Sequence, residues 1–406
     1  MKIVYLVHQF YPEFQAGTER FVYNTAFMTQ NNGHKVRVLS YSMEDVSNFR
    51  IPERGVLIRD FVYKGVPVTA FRYQKEQIDL NFSLEESCAV EFAQKWLKNE
   101  APDIVHVGHA MRVVPFIHAT RMLGIPYIVT ATDFFFICPK VILAPNRDTL
   151  CSGPNNGETC LHLCPEFNKE LISKRLHIGF EILQQAKAVV TPSVFAQKIF
   201  SKEVPGLKPL VNNHGIRSSN IDRNIRFYNE GDALKFGYLG NLAYHKGVHI
   251  LIKAFTLLSD EDARLILFGS GEKKYVSYLK SLASGDNRIK FMGVFSEMDL
   301  KRIFKQIDVL VVPSICYETY SFVVHEALMA NIPVIVSDLG GMTEKVKPGI
   351  NGHAFRAGDV DGLAQNLIDL SLNPMKLNDL KKNIYYHTYV PNIEQENYFY
   401  WRLYRH

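Results

Sequence analysis

Short apolar runs rich in valine and isoleucine alternate along this chain with longer segments of helical periodicity, and the whole pattern occurs twice. Runs that are apolar on consecutive positions are typical of parallel strands covered on both faces. We expect strands at Ile3–Val7, Lys35–Leu39, Val68–Phe71, Ile104–Val107, Tyr127–Thr130 and Ala188–Thr191, and again at Leu234–Leu239, Ala263–Phe268, Arg288–Met292, Val309–Val312 and Val334–Val336. Two successive α/β runs predict two doubly wound domains.

The join between the two runs is expected at Val204–Pro209, where two prolines and a glycine interrupt both patterns. We therefore assign residues 1–205 to a first domain, with a cysteine-bearing loop over residues 134–170, and residues 206–389 to a second domain. Residues 390–406 are rich in aromatic side chains and are expected to form a C-terminal helix, and whether it packs on the first domain stays open. Ligands of open α/β sheets bind beyond the carboxyl ends of the strands, so we searched those loops for chemistry.

Composition excludes several classes of protein. Apolar residues make up 47% and charged residues 21%, which is an ordinary globular balance and rules out a disordered or collagen-like chain. The formal net charge of +5 is small and scattered, so we expect no nucleic-acid partner. No stretch reaches the roughly 18 apolar residues of a membrane-spanning helix, and the start does not resemble a signal peptide. We expect a cytoplasmic protein and leave open a peripheral contact at the inner membrane face.

Glycines and one lysine follow predicted strands at positions suited to an anionic ligand. Gly17, after the first strand, lets the backbone approach a ligand closely at a helix start, although a plain strand-to-helix turn explains it equally well. In the second half, Gly240, Lys246 and Gly269 follow two successive strands. A lysine at a glycine-rich strand end supplies a point charge for a diphosphate, and a solvated surface lysine is the alternative.

The segment Val309–Ala330 is the most informative part of the sequence. After its buried strand, Glu318 lies in a loop, and a helix is expected to begin with Ser321 as N-cap and to end near Asn331. Glu326 falls in a mostly apolar stretch of that helix. A carboxylate in this position is either a partner of the helix dipole or an acceptor for sugar hydroxyl groups.

This segment resembles the Glu-x7-Glu signature of the retaining glycosyltransferase family 4. Matching segments follow at Pro333–Val336, Gly340–Glu344 and Gly349–Gly352, and looser ones occur earlier at Phe10–Glu19 and Asp103–His106. The resemblance implies the GT-B fold, in which two Rossmann-like α/β domains face each other across a cleft. It also implies transfer of a hexose from a UDP- or GDP-sugar to a glycan or lipid-linked acceptor, in surface polysaccharide or glycolipid synthesis.

The resemblance assigns roles residue by residue. Lys246 would bind the donor diphosphate, Glu318 would hold or polarise the transferred sugar, and Glu326 would bind the ribose hydroxyls. Gly17 would approach the phosphates, and further donor contacts are implied for Asn241, Gly269, Val294, Thr319, Tyr320, Ser321, Phe322 and Val323. His109 is a catalytic candidate on the acceptor side, with a structural histidine as the alternative. In the family's mechanism the leaving phosphate takes the acceptor proton, so we expect neither a protein nucleophile nor a catalytic cofactor.

Three positions depart from the family pattern. Asn241 replaces the usual arginine, Thr132 replaces a histidine, and Glu318–Ser321 stands where the family has Glu-Pro-Phe-Gly. At the last position we expect Ser321 to replace the glycine because a serine side chain can cap the helix start. These departures leave two alternatives open, a catalytically degenerate subunit that binds a nucleotide sugar and a sugar-nucleotide epimerase of the same fold.

Four of the six cysteines, Cys138, Cys151, Cys160 and Cys164, lie in the loop over residues 134–170. Four thiols are enough for a structural zinc ion, although their spacing lacks paired Cys-x2-Cys knuckles. Structural zinc, disulfides and free thiols therefore all stay open. Cys88 and Cys316 are expected to be small buried hydrophobic residues.

Overall fold

The computed structural model divides the chain into two compact units. Unit 1 comprises Met1–Pro145, Thr149–Gly215 and Ile393–His406, and unit 2 comprises Asn146–Asp148 and Ile216–Asn392. The structure describes residues 1–50, 55–74, 84, 89–147, 149–223, 227–229 and 231–405. The main crossing from unit 1 to unit 2 falls after Gly215, a few residues beyond the expected join, and the C-terminal helix belongs to unit 1.

Each unit is built around one sheet. The eight strands of unit 1 are β1 (Lys2–Val7), β2 (Lys35–Tyr41), β3 (Val56–Tyr63), β4 (Val66–Tyr73), β5 (Ile104–Val107), β6 (Tyr127–Thr130), β7 (Ala188–Thr191) and β8 (Leu210–Val211). Unit 2 has β9 (Lys235–Leu239), β10 (Arg264–Phe268), β11 (Ile289–Gly293), β12 (Val309–Val312), β13 (Val334–Ser337) and β14 (Gly352–Phe355).

The strand orders are those of doubly wound sheets. In unit 1 the order is β3-β4-β2-β1-β5-β6-β7-β8, and in unit 2 it is β11-β10-β9-β12-β13-β14. Neighbouring strands are parallel except β3 and β4, which pair antiparallel at the edge of the first sheet. The fold class predicted from the alternation of strands and helices is therefore confirmed.

Helices connect the strands in both units. They are α1 (Gly17–Asn31), α2 (Val90–Glu100), α3 (Val114–Met122), α4 (Glu158–Leu163), α5 (Lys169–Gln185), α6 (Val194–Glu203), α7 (Val248–Thr256), α8 (Lys273–Leu282), α9 (Leu300–Phe304), α10 (Phe322–Met329), α11 (Val360–Leu372), α12 (Lys376–His387) and α13 (Ile393–Arg405). Within the described ranges, none of these helices combines the length and the apolar character needed to cross a membrane.

Helix α13 is tied to unit 1 by a buried hydrogen-bond network. The Tyr404 hydroxyl lies 3.1 Å from the Tyr5 hydroxyl and 2.8 Å from Nδ1 of His106. Thr130 Oγ1 lies 2.8 Å from Nε2 of His106 and 3.0 Å from the Tyr400 hydroxyl. Burial lowers the pKa of His106 to about 3, so the network is neutral near pH 7. The C-terminal helix therefore docks through satisfied polar groups as well as through aromatic packing.

Candidate functional site

At the carboxyl edge of the second sheet, three neighbouring strands end in loops that contact one another. The amide of Gly240, after β9, donates to the carbonyl of Phe268, and the amide of Gly269, after β10, donates to the carbonyl of Gly293 at 2.8 Å. Gly269 has a φ of +145°, and a Cβ there would overlap the carbonyl oxygen of Gly240. Only glycine allows this close approach of the two loops.

The loop that carries Lys246 is joined in turn to the loop after β12. Lys246 ends a 3-10 turn and is followed by Gly247, whose φ is +68°. A Cβ at Gly247 would overlap the carbonyl oxygen of Pro313, and the amide of Ile315 donates to the carbonyl of His245 at 2.9 Å. The ammonium group is thereby brought beside the loop that follows β12.

Lys246 and Glu318 form an ion pair at this edge. Lys246 Nζ lies 2.6 Å from Glu318 Oε1, and the Ser314 hydroxyl donates to the same oxygen at 2.9 Å. The side chains are 30% and 14% exposed. Burial disfavours both charges. The attraction between the two opposite charges outweighs this effect, so the pKa of Lys246 is raised and that of Glu318 is lowered. Both groups stay charged across the neutral pH range.

The backbone of Glu318 is fixed by the predicted motif segment that begins at Gly340. The amide of Gly341 donates to the carbonyl of Glu318 at 2.7 Å. Gly340 has a φ of +69°, and a Cβ there would overlap the same carbonyl oxygen. The Gly-Gly pair therefore supports the loop that presents the carboxylate.

Helix α10 begins where the sequence predicted, with Ser321 in the N-cap position. The Ser321 side chain makes no capping hydrogen bond, so the expected mechanism of capping is wrong. Instead, Nδ1 of His325 lies 2.8 Å from the Ser321 carbonyl, and the ring of His325 stacks on Tyr320 at 4.0 Å between centroids. The helix ends at Met329, slightly before the expected end.

The other predicted donor residues of unit 2 lie around the same loops. Thr319, Tyr320, Ser321, Phe322 and Val323 form the entry into α10, and Glu326 is buried in the helix. Asn241 is exposed, and its backbone carbonyl accepts a hydrogen bond from the Tyr238 hydroxyl at 2.7 Å. Val294 follows β11 directly and is 80% exposed. The structure thus gathers the residues from separate loops at one edge of the sheet, with Glu326 inside the adjoining helix.

At the carboxyl edge of the first sheet, the loops after β1, β5 and β6 meet at threonine hydroxyls. Gly17 is the first residue of α1. The next residue, Thr18, donates through its hydroxyl to Thr132 Oγ1 at 3.0 Å, and Thr132 donates to the carbonyl of Gly108 at 3.2 Å. Thr132, which departs from the family pattern, therefore serves as the junction of three loops.

His109 is paired with Asp133, which the sequence analysis missed. His109 Nε2 lies 2.6 Å from Asp133 Oδ2, and the amide of Met111 donates to His109 Nδ1 at 3.1 Å. This pattern assigns the proton of the neutral ring to Nε2. The His109 side chain is 3% exposed and the Asp133 side chain 26%. The available signal was the position of Asp133, directly after Thr132, which stands where the family has a histidine.

A second histidine and a second carboxylate lie behind this pair. The ring of His8 packs on that of His109 at 4.0 Å between centroids, and His8 Nε2 lies 3.5 Å from Glu19 Oε1. Glu19 is fully buried and accepts from the amide of Ala16 at 2.7 Å. Burial, followed by the charges of His109 and Arg112, lowers the pKa of His8 well below its usual range, while burial raises the pKa of Glu19. Neither residue has a role predicted from the sequence.

The cysteines of the loop over residues 134–170 come together in space. Cys138, Cys151, Cys160 and Cys164 are buried, form no disulfide and line one cavity of about 10 Å³. In the part of the chain that the structure describes, no group of three or more His, Cys, Asp or Glu side chains is arranged to hold a metal ion. Cys316 is buried and free in unit 2, and Cys88 lies outside the described residues.

Two family models match this chain and together span most of it. The model for Glycosyltransferase Family 4 matches residues 16–208, and the model for Glycosyl transferases group 1 matches residues 220–387. The chain belongs to the group 1 glycosyltransferases. The resemblance predicted from the Glu-x7-Glu segment is confirmed, and that segment lies within the second match.

Curated relatives match this glycosyltransferase over part of their length. An uncharacterized glycosyltransferase of Methanocaldococcus jannaschii is 32% identical over 167 residues, which are 39% of this chain and 42% of the relative. The phosphatidyl-myo-inositol mannosyltransferase of Mycobacterium leprae is 30% identical over 131 residues, or 32% of this chain and 34% of the relative. The matched region therefore spans less than half the length of either relative.

Solved structures resemble this glycosyltransferase over nearly its whole length. Anabaena HepE in complex with UDP and glucose has a TM-score of 0.70 at 17% identity, covering 99% of this chain and 98% of that one. Sucrose-phosphate synthase from Thermosynechococcus elongatus has a TM-score of 0.72 at 16% identity, covering 100% and 98%. At such low identity the likeness concerns the fold, which is GT-B.

Proposed function

We propose that this group 1 glycosyltransferase transfers a hexose from a UDP- or GDP-sugar to a glycan or lipid-linked acceptor, in surface polysaccharide or glycolipid synthesis. The observation that carries the proposal is the pair of Lys246 and Glu318 at the carboxyl edge of the second sheet. Solved structures of this fold hold UDP, UDP-glucose or ADP, which supports a nucleotide diphosphate sugar as donor.

Lys246 is suited to the diphosphate. A lysine ammonium has three N–H donors, and the bond to Glu318 Oε1 uses one of them. We assign the remaining N–H donors of Lys246 to phosphate oxygens of the donor. The negative charge on these oxygens grows as the bond to the sugar breaks. The backbone amides at the start of α10 add partial positive charge beside them. Groups preorganised where charge develops lower the barrier most, so the leaving group is where we place the main catalytic effect.

Glu318 and Glu326 are suited to hydroxyl groups of the donor. Lys246 and Ser314 both contact Oε1 of Glu318, and we assign its Oε2 to a hydroxyl of the transferred sugar. We assign Glu326, in the middle of helix α10, to the ribose hydroxyls. Carboxylates that accept from hydroxyl groups fix the orientation of a sugar, and orientation is itself a large part of catalysis.

The acceptor is assigned to the edge of the first sheet, with Asp133 as the group that contacts it. Asp133 is the more exposed partner of its pair, and both ring nitrogens of His109 are already engaged. We therefore assign His109 the positioning of Asp133. In the proposed retaining reaction the bond from C1 to the phosphate oxygen breaks, the bond from C1 to the acceptor oxygen forms on the same face, and the acceptor proton passes to the leaving phosphate.

The proposal is tested by donor binding and by turnover. Bound ligand raises thermal stability by mass action, so a thermal-shift screen of UDP-, GDP- and ADP-sugars identifies the donor. Release of the nucleotide is then measured with glycan and lipid-linked acceptors, and NMR of the product gives the anomeric configuration. Lys246→Met serves as the inactive control in this assay, because we expect it to lose turnover. Neither binding nor release with any donor would overturn the proposal.

The two alternative functions give different results in the same assay. A catalytically degenerate subunit would bind the donor and release no nucleotide under any condition. An epimerase would convert the donor sugar without any acceptor. An inverted anomeric centre in the product would preserve the transferase assignment but overturn the retaining mechanism.

A further inference from the structure

The four cysteines of the loop over residues 134–170 line one cavity, although 26 positions separate the first from the last. Cys138 lies eight residues after the end of β6, Cys151 lies in irregular backbone, and Cys160 and Cys164 lie in and just after α4. The remaining residues that line the cavity are mostly apolar, among them Ile137 and Leu143. A single buried cysteine is common in a core, but four of them from separate points of one loop around the same cavity form a candidate ligand set.

All four cysteines are buried, are in the free thiol form and line the same cavity. A group of four is the number that a closed structural zinc site uses.

A buried cation lies beside this cluster. Arg175 donates to the backbone carbonyls of Phe135 and Phe136, just before Cys138. Lys140, which lines the cavity, is paired with Glu166 at 2.5 Å. A divalent ion held by four thiolates carries a net charge of about −2, because each thiolate contributes one negative charge. The buried arginine offers part of the charge that such a centre requires.

The backbone around the cluster is strained in a way that calls for a constraint. Val141, Leu143, Asn155 and Asn156 all adopt positive φ values, between 46° and 70°. Such conformations cost free energy in residues other than glycine and persist where the surroundings over-determine them. For the β-branched Val141 the cost is especially high. A metal cross-link at the centre of the loop supplies that constraint.

We propose that Cys138, Cys151, Cys160 and Cys164 bind one structural zinc ion as a tetrathiolate. Zinc takes four cysteine sulfur atoms at about 2.3 Å in tetrahedral geometry. The thiols are not at that spacing in the structure, so the side chains close on the ion as it binds. Each thiol that becomes a ligand releases its proton to solvent, up to four in all, and no oxidant or reductant takes part.

The metal site would stabilise the acceptor side of the molecule. Asp133 directly precedes the loop, and the amide of Phe135 donates to Asp133 Oδ1 at 2.9 Å. The amide of Cys138 donates to the carbonyl of Phe134 at 2.8 Å. A cross-link at Cys138 therefore restrains the turn that orients Asp133 toward His109. This role is structural and is independent of whether the chain transfers a sugar.

The experiment measures metal in the full-length protein. Protein purified without chelator, or stripped and reconstituted with zinc chloride, is analysed by inductively coupled plasma mass spectrometry, and we expect about one zinc ion per chain. Cobalt reconstitution is expected to give the thiolate charge-transfer band and the intense visible absorption of a tetrahedral site. A strong zinc chelator is expected to lower the melting temperature.

Substitutions identify the ligands. Cys151→Ser and Cys160→Ser should lose most of the bound zinc, while Cys316→Ser, which alters a buried free cysteine of unit 2, should keep it. The wild-type measurement decides the matter even if a variant fails to fold. Less than about 0.1 zinc per chain after reconstitution would overturn the proposal. So would two disulfides found by mass spectrometry, or a zinc content that the ligand substitutions leave unchanged.

Discussion

The carboxyl edges of the two sheets pair their carboxylates with different partners. In unit 2, Glu318 pairs with a lysine, and the pair keeps both charges across the neutral range. In unit 1, Asp133 and Glu19 lie beside the histidines His109 and His8. The Lys246 ammonium keeps its charge near pH 7, whereas burial lowers the pKa of His8 so that its ring is neutral beside Glu19. The first arrangement suits a charged leaving group, and the second suits a neutral hydroxyl acceptor.

The largest expected effect comes from removing the fixed charge. Lys246→Met should lower kcat by about 10²–10³-fold, because one preorganised donor to the leaving group is lost. Lys246→Arg should recover part of the activity, since it restores the charge with a different shape. Steady-state nucleotide release measures both.

The matched control for this prediction is Lys301→Met. Lys301 forms an exposed ion pair with Asp222 at 3.0 Å in the same unit, and such pairs contribute little. Equal losses in Lys246→Met and Lys301→Met would mean that the site assignment is wrong.

Next in size is the loss of the acceptor carboxylate. Asp133→Asn should reduce kcat by about 10²-fold, because the group proposed to orient the acceptor hydroxyl no longer carries a charge. His109→Gln should reduce it less, because it removes the positioning partner alone. Donor affinity in a thermal-shift titration should stay unchanged in both variants. Weakened donor binding would assign this edge to the donor instead.

A smaller effect is expected on stability rather than on activity. Tyr404→Phe removes the hydroxyl that contacts Tyr5 and His106, and should lower the free energy of unfolding by about 1–3 kcal/mol. Tyr398→Phe, on the exposed face of the same helix, should change it by less than about 0.5 kcal/mol. Chemical denaturation measures both values. If the two substitutions change the free energy of unfolding by similar amounts, the buried network does not stabilise the fold.

The last prediction is a pH dependence of stability in unit 1. Below about pH 6.5 the unfolded chain takes up a proton on His106 that the folded chain does not bind until about pH 3. Stability should therefore fall as the pH decreases through this window, by up to about 1.4 kcal/mol per pH unit for this residue. In His106→Gln the slope of the free energy of unfolding against pH should decrease by an amount that corresponds to up to about one bound proton. His177→Gln, at an exposed histidine, should leave the slope unchanged.

The strands predicted best from the sequence are those that are apolar at consecutive positions. Ile104–Val107, Tyr127–Thr130 and Val309–Val312 match their observed bounds because both faces of these central parallel strands are buried. Strand β3 was missed, since exposed and partly buried positions follow its first two residues and Asp60 lies in its middle. It pairs antiparallel at an edge, where one face meets solvent.

The candidate donor and acceptor sites also differ in how far they could be predicted from the sequence. Much of the candidate donor site could be predicted because Glu318, Ser321 and Glu326 lie in one short segment with a recognisable spacing. The pairing of His109 with Asp133 could not, because it depends on how the loops after β5 and β6 meet. The side-chain cap predicted for Ser321 is absent, and in the structure the side chain of His325 contacts the Ser321 carbonyl at the start of the helix.

Helix α13 gives the chain an unusual order of assembly. Unit 2 is, apart from three residues of a loop, a single continuous stretch, whereas unit 1 needs the final residues to fill its core with Tyr400 and Tyr404. During synthesis, unit 1 is therefore completed only after the main stretch of unit 2 has been made. A stop codon before residue 393 would remove part of the core of unit 1 and leave residues 216–392 intact. Residues 216–392 are, for the same reason, the natural fragment to express alone.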